Sequence, residues 1–173
     1  MDGQNTINDH TKKIVRGRLE LPFGLTEILS LLTFRDHFQC YQQTPASLLY
    51  YVSENSSIWQ MFDDSPDWVH DLASKVPQDF AHHEVSVIKI MPGNTIPIHQ
   101  DKHYLLQKNH GVGETWRYLI FLEDWKSGHY FEISGEPIVN WKAGDWVKFH
   151  RAHWHLGGNM GEQPFYSAQV TVK

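Results

Sequence analysis

The sequence predicts a mainly β chain, a sandwich or barrel of short strands with a few helices ahead of it. Two observations carry this. Glu84-Val85-Ser86-Val87-Ile88-Lys89-Ile90 alternates polar and apolar residues with the period of a half-buried strand. Similar apolar and aromatic runs then follow one another, separated by turn signals such as Met91-Pro92-Gly93-Asn94 and Ala143-Gly144-Asp145.

Taken in order, Met1 to about Lys13 is polar and reads as loosely ordered. Thr26-Glu27-Ile28-Leu29-Ser30-Leu31-Leu32 reads as a short amphipathic helix. A second helix opens at Ser65-Pro66-Asp67-Trp68, with Ser65 as N-cap and Pro66 at the first helical position, and runs to about Val76, where Pro77 stops it. After the strand at 84–90, Thr95-Ile96-Pro97-Ile98 leads into His99. Trp116 to Leu122 reads as a well-buried strand, and His129 to Ile133 as a shorter one. The Gly-Asp turn opens Trp146 to His150; Trp154-His155-Leu156 and Pro164 to Val172 complete the set. Gln107 to Gly113 is polar and glycine-bearing, as a mobile lid would be. It lacks the strand–loop–helix setting of a phosphate loop. Trp125, Trp141, Trp146 and Trp154 are expected in the core.

At 173 residues the chain is long enough for one domain, 1–173, with one good core. Seven tryptophans help to fill a small core. The net charge of −5 argues against an extensive nucleic-acid surface. Cys40 is the one cysteine, which excludes an internal disulfide and thiolate metal clusters. No apolar run has transmembrane length and no signal-peptide pattern opens the chain, so no membrane association and a cytoplasmic location are the expectation.

The chemistry begins at His99-Gln100-Asp101. A histidine and a carboxylate two apart on an extended segment project to the same side. One more imidazole from a distant strand completes a 2-His-1-carboxylate face, the ligand set of non-haem Fe(II) oxygenases, with the opposite positions open. The chain has twelve histidines. His10, His37, His70, His82 and His83 read as solvated or hydrogen-bonded residues. His150, His153 and His155 compete for the distal position.

The order of strand, H-x-D, the Arg117 to Trp125 strand, Trp141-Lys142-Ala143-Gly144-Asp145 turn, and His155 with Asn159 resembles the 2-oxoglutarate/Fe(II)-dependent oxygenases. It is most similar to small prolyl-hydroxylase-like members from phages and marine bacteria. The similarity covers roughly residues 84–172. It implies a double-stranded β-helix (a jelly roll, cupin-like) with the N-terminal helices packed outside. It also implies Fe(II), 2-oxoglutarate and O₂ acting together, with hydroxylation of a C–H bond and release of succinate and CO₂. The family pattern places asparagine four residues after the distal ligand. This selects His155, with His153 as runner-up. Asp101 in the carboxylate position argues against the halogenating variant.

The same resemblance locates the co-substrate. Many members anchor its far carboxylate with an arginine about ten residues after the distal histidine, a position held here by Phe165. Tyr166 and Ser167 beside it offer hydrogen bonds but no charge. Arg117 on a middle strand is the candidate cation, being a fixed two-pronged donor. Its alternative is a structural Asp or Glu partner. Lys102 and Arg151 are the other basic residues in reach. Tyr104 and His103 follow the metal motif and are candidates for the mouth of the site. The substrate class expected is a small molecule or a peptide residue. Two other classes stay open: a cupin-type dioxygenase or isomerase without the keto acid, to which His153-Trp154-His155 lends an H-x-H pattern, and a non-catalytic metal-binding module.

Overall fold

A computed structural model of the protein describes residues 13–36, 56–60 and 67–173. Residues 1–12, His37, Cys40, Ser65 and Pro66 lie outside them, so the readings made of those positions are not addressed.

Among the described residues there are eleven strands and three helices. They are β1 (Val15–Arg18), α1 (Leu25–Leu31), β2 (Arg35–Asp36), β3 (Ser56–Gln60), α2 (Asp67–Ser74), β4 (His83–Ile90) and β5 (Asn94–His99). Then come α3 (Tyr104–His110), β6 (Trp116–Phe121), β7 (His129–Ile133), β8 (Glu136–Ile138), β9 (Asp145–His150), β10 (His155–Asn159) and β11 (Phe165–Val172). The larger sheet runs β1-β9-β6-β11-β4-β3-β2 and the smaller β5-β10-β7-β8. Each residue pairing within them is antiparallel.

Alternation along the central strands divides two cores. Tyr118 and Ile120 of β6, Ala168, Val170 and Val172 of β11, and Val85 and Val87 of β4 face outward. There they bury Ile28 of α1 and Trp68, Val69, Leu72 and Ala73 of α2. The opposite face, with Leu119 and Phe121, Phe165, Ile88 and Ile90, packs onto Phe131, Ile133 and Ile138 of the smaller sheet. Where both sides are covered by apolar packing, as from Tyr118 to Leu122, the sequence reads as a continuous apolar run. No helix of the described residues is long and apolar enough to cross a membrane.

The Ala143-Gly144-Asp145 turn needs its glycine. Gly144 has φ +84°, and a Cβ there would stand 2.2 Å from the Leu19 carbonyl oxygen. That carbonyl belongs to the segment after β1, whose Leu19 N–H donates back to Gly144 O at 2.9 Å. The segment expected as a glycine-bearing loop instead forms α3 from Tyr104, ended by Gly111 at φ +81°. Trp154, expected in the core, is 52% exposed, because His155 beside it takes the inward direction.

Candidate metal centre

A bulge aims the first histidine. In the β5–β10 ladder Thr95 faces Gly158 and Ile96 faces Gly157, but His99 faces His155. Pro97 and Ile98 together therefore oppose Leu156. Ile96 packs inward against the core between the sheets. Strict alternation would turn Ile98 inward next and His99 outward; the extra residue leaves Ile98 exposed and swings His99 inside. A proline suits such a site, having no N–H to give the ladder. The Pro97 carbonyl lies 2.7 Å from His99 Nδ1.

His155 opens β10, buried, with the Phe149 ring centroid 4.8 Å from its own. Its Nδ1 stands 3.0 Å from His153 O. A carbonyl oxygen only accepts, so in both histidines Nδ1 carries the proton and Nε2 presents its lone pair to the site. Burial, with the charges of His99 and Arg117, pulls the His155 pKa down to about 4 against the opposing pull of Asp101. The ring is neutral at pH 7, as a ligand must be.

Asp101 completes the group. Its Oδ1 lies 3.8 Å from His99 Nε2 and its Oδ2 3.6 Å from His155 Nε2. The three ligand atoms all fall within 4.8 Å of one another. Burial alone would push the Asp101 carboxyl up. The Arg117 guanidinium, then His103 and His155, outweigh it and hold the group well below the usual carboxylate range. The side chain of His99 is 40% exposed and that of Asp101 10%, so the cluster opens to solvent on the His99 side.

Arg117 meets this cluster directly. Its Nη1 pairs with Asp101 Oδ2 at 2.9 Å and its Nε donates to Thr171 Oγ1 at 3.3 Å. The largely covered guanidinium has the structural carboxylate partner that the sequence left open, and that partner is itself a candidate metal ligand. The inner face of the larger sheet continues this polar ground. Phe149, Arg117, Thr171 and Glu84 form one row across four adjacent strands, and Val147, Leu119, Gln169 and Ser86 form the next. Ser86 Oγ donates to Gln169 Oε1 at 3.2 Å. Burial pushes the Glu84 carboxyl up to about 7, with Arg117 pulling the other way. Farther in, Phe121, Trp141, Phe165 and His129 stack, with centroids 4.0 Å apart for Phe121–Trp141, 5.2 Å for Trp141–Phe165 and 5.1 Å for Phe165–His129.

Of the residues proposed from sequence, His99, Asp101 and His155 come together, with Arg117 against them. Tyr166 does not: it points to the outer face, where its ring lies 6.2 Å from Phe34. Ser167, the next residue, points inward and is buried between the Ile88 and Phe121 positions. Neighbours on a strand face opposite sides, so the two could not have lined one pocket. Tyr104 begins α3, immediately after His103. Lys102 is exposed. His153 sits in the turn before β10, its Nδ1 3.1 Å from His150 O, and lies outside the cluster. Asn159 works at the far end: its Nδ2 donates to Ile90 O at 2.9 Å and Gln163 O at 2.7 Å, tying the ends of β4 and β10 to the turn into β11. Glu84 and Thr115 belong to no motif and went unassigned in the sequence; only the inward register of Glu84 signalled it.

The donor set suits a divalent first-row ion: two imidazoles, one ionised carboxylate and no thiolate. The buried Nε2 of His155 makes no hydrogen bond, which a bound metal would remedy. No family model matches the chain, and no curated protein matches it. Among solved structures, a Pseudomonas putida prolyl-4-hydroxylase is similar over 94% of this chain and 94% of its own, with a TM-score of 0.60 at 15% identity. The fold is a double-stranded β-helix. KdgF from a Halomonas species matches more loosely (TM-score 0.46, 9% identity, 83% of this chain and 87% of that one). So does a cupin protein from Bacteroides fragilis (0.40, 20%, 61% and 73%). At these identities the likeness speaks for the fold alone.

Proposed function

We propose that the protein is an Fe(II)- and 2-oxoglutarate-dependent oxygenase that hydroxylates a C–H bond of a small molecule or a peptide residue. The observation that carries this is the inward convergence of His99, Asp101 and His155, with both Nε2 atoms free and one side open to solvent. These three residues would hold the iron, which supplies the O₂ and keto-acid chemistry ending in succinate, CO₂ and hydroxylated product.

The rest of the reading concerns this chain's own side chains. Arg117 has donors beyond the two it uses on Asp101 and Thr171, and it is the cation nearest the cluster on the inner face. It is therefore the residue to meet an anionic co-substrate, with Ser167 as a further contact. The aromatic stack around Phe165 closes the deep end and keeps water from it. A second reading has a specific observation behind it. Arg117 is already paired by Asp101 and Phe165 is built into that stack, which favours a metal enzyme on the same barrel that uses no keto acid.

Anaerobic titration with Fe(II) and then 2-oxoglutarate separates them. A visible metal-to-ligand charge-transfer band is expected, absent in Asp101→Ala and weakened at least tenfold in affinity for the keto acid in Arg117→Met. Iron binding with no such band would overturn the oxygenase reading and leave the second.

A further inference from the structure

Glu84 is a carboxylate on the inner face beside this centre that makes no hydrogen bond or ion pair with the described residues. It ends the row Phe149, Arg117, Thr171, Glu84 across the larger sheet. That row lies under the cluster, with the Phe149 ring against His155 and Arg117 holding Asp101. Glu84 stands two strands beyond Arg117, about 10 Å along the row at the usual spacing of strands.

It also stands on the side where the cluster opens. β5, which carries His99, is an edge strand of the smaller sheet and lies against β4 and β3. The turn at residues 91–93 joins β4 to β5 at the Asn159 end, where the Gly93 N–H donates to Asn159 O at 2.8 Å. Glu84 near the start of β4 and His99 at the end of β5 therefore meet at the other end. A molecule that reaches the cluster past His99 passes over Glu84.

The donors around this carboxylate are spent elsewhere. Arg117 pairs with Asp101 and gives its Nε to Thr171 Oγ1. Ser86, two residues along β4, donates to Gln169 Oε1. Burial pushes the Glu84 carboxyl up to about 7, with only Arg117 pulling it back. An anion half out of water and short of donors is costly to hold. A ligand that brings a cationic donor removes that cost. A neutral donor removes less of it, since hydrogen bonds between charged partners are the stronger kind.

We propose that Glu84 binds a cationic group of the substrate, a guanidinium or an ammonium, so that the molecule oxidised at this centre is a basic one. The inference rests on the oxygenase reading for the reaction and on the register of β4 for the cation site. A basic small molecule and an arginine or lysine residue of a peptide present the same group.

The test is calorimetric binding to the full chain, with and without Co(II), using probes whose head groups are poor metal ligands. n-Butylguanidinium is paired with its neutral counterpart n-butylurea, and Nα-acetylarginine N-methylamide with its citrulline equivalent. In at least one pair the wild type should bind the charged member about 10- to 100-fold tighter, the range of a hydrogen bond to a charged group. Glu84→Gln keeps the shape without the charge; it should cancel that preference and leave the neutral probe within about twofold. Should Glu84→Gln fail to fold, Glu84→Asp carries the decision, its carboxylate drawn back by one carbon and the preference reduced. A preference confined to the first pair assigns the site to a small molecule, and one confined to the second assigns it to a peptide residue. Equal binding within both pairs, or a preference unchanged in the Glu84 variants, overturns the cation site and leaves Glu84 solvated by water. A cation preference in a chain that binds no metal, or shows no keto-acid band, keeps the site and defeats the oxygenase reading instead.

Discussion

The two ends of the barrel interior are built from the same strands with opposite materials. Along β11 the inward residues read Phe165, Ser167, Gln169, Thr171, from aromatic to polar over four positions. At the Thr171 end stand Arg117, Glu84 and the His–Asp–His cluster. At the Phe165 end stand stacked rings, and Asn159 binds two carbonyls where the strands converge. The difference teaches that stability and chemistry are drawn here from separate rows of one sheet.

Three experiments would break or sharpen that division. The largest effect should come from Phe165→Ala, which removes a fully buried ring from the stack. Unfolding stability should fall by about 4 kcal/mol, read from urea denaturation by tryptophan fluorescence. Metal affinity should stay within twofold, and a tenfold loss would show that the ends are not independent. Next is Glu84→Gln, compared with wild type in urea with a chelator present. Because burial raises the Glu84 pKa to about 7, the folded state holds that proton more tightly than the unfolded chain does. The favourable contribution is complete below about pH 4.5 and is lost as pH rises through 7. Discounted for partial solvent contact, wild type should lose about 2 kcal/mol relative to Glu84→Gln between pH 4.5 and 8. A flat difference would mean that the open end tolerates this carboxylate without strain. Smallest is Trp154→Ser, a half-exposed residue beside a candidate ligand. The stability change should stay within about 0.5 kcal/mol, and a loss above about 1.5 kcal/mol would put that indole in a packed contact.

Much of this was legible beforehand, for reasons that can be stated. His99 and Asp101 were paired by their two-residue spacing, although β5 ends at His99 and Asp101 lies just past it, and His155 was picked out because Asn159 stands four residues after it. The central strands were readable from β-rich runs long enough to show their period. Other features were not. β1 and β8 are short, and their pairing depends on β9 and β7 rather than on any pattern of their own. Helix α3 lies in a stretch whose composition suits a loop as well. The face of Tyr166 was a matter of choosing which of two adjacent residues points inward, and burial of its neighbour Ser167 decided it. Arg117 was correctly expected to need an anion. That the anion is Asp101 depends on a contact between segments 16 residues apart, which no local pattern encodes.

The Pro97–Ile98 bulge carries one consequence of its own. A strand counts in twos, and every side chain keeps its face only while the count stays even. The extra residue in β5 changes the parity once, between the core residue Ile96 and the candidate ligand His99. A chain that lost or gained a single residue there would keep its hydrogen-bonded ladder and most of its packing, while presenting His99 to bulk water. The sheet is indifferent to that step and the His–Asp–His cluster is not, so the length of this short strand is under a constraint that neither its composition nor its stability reveals.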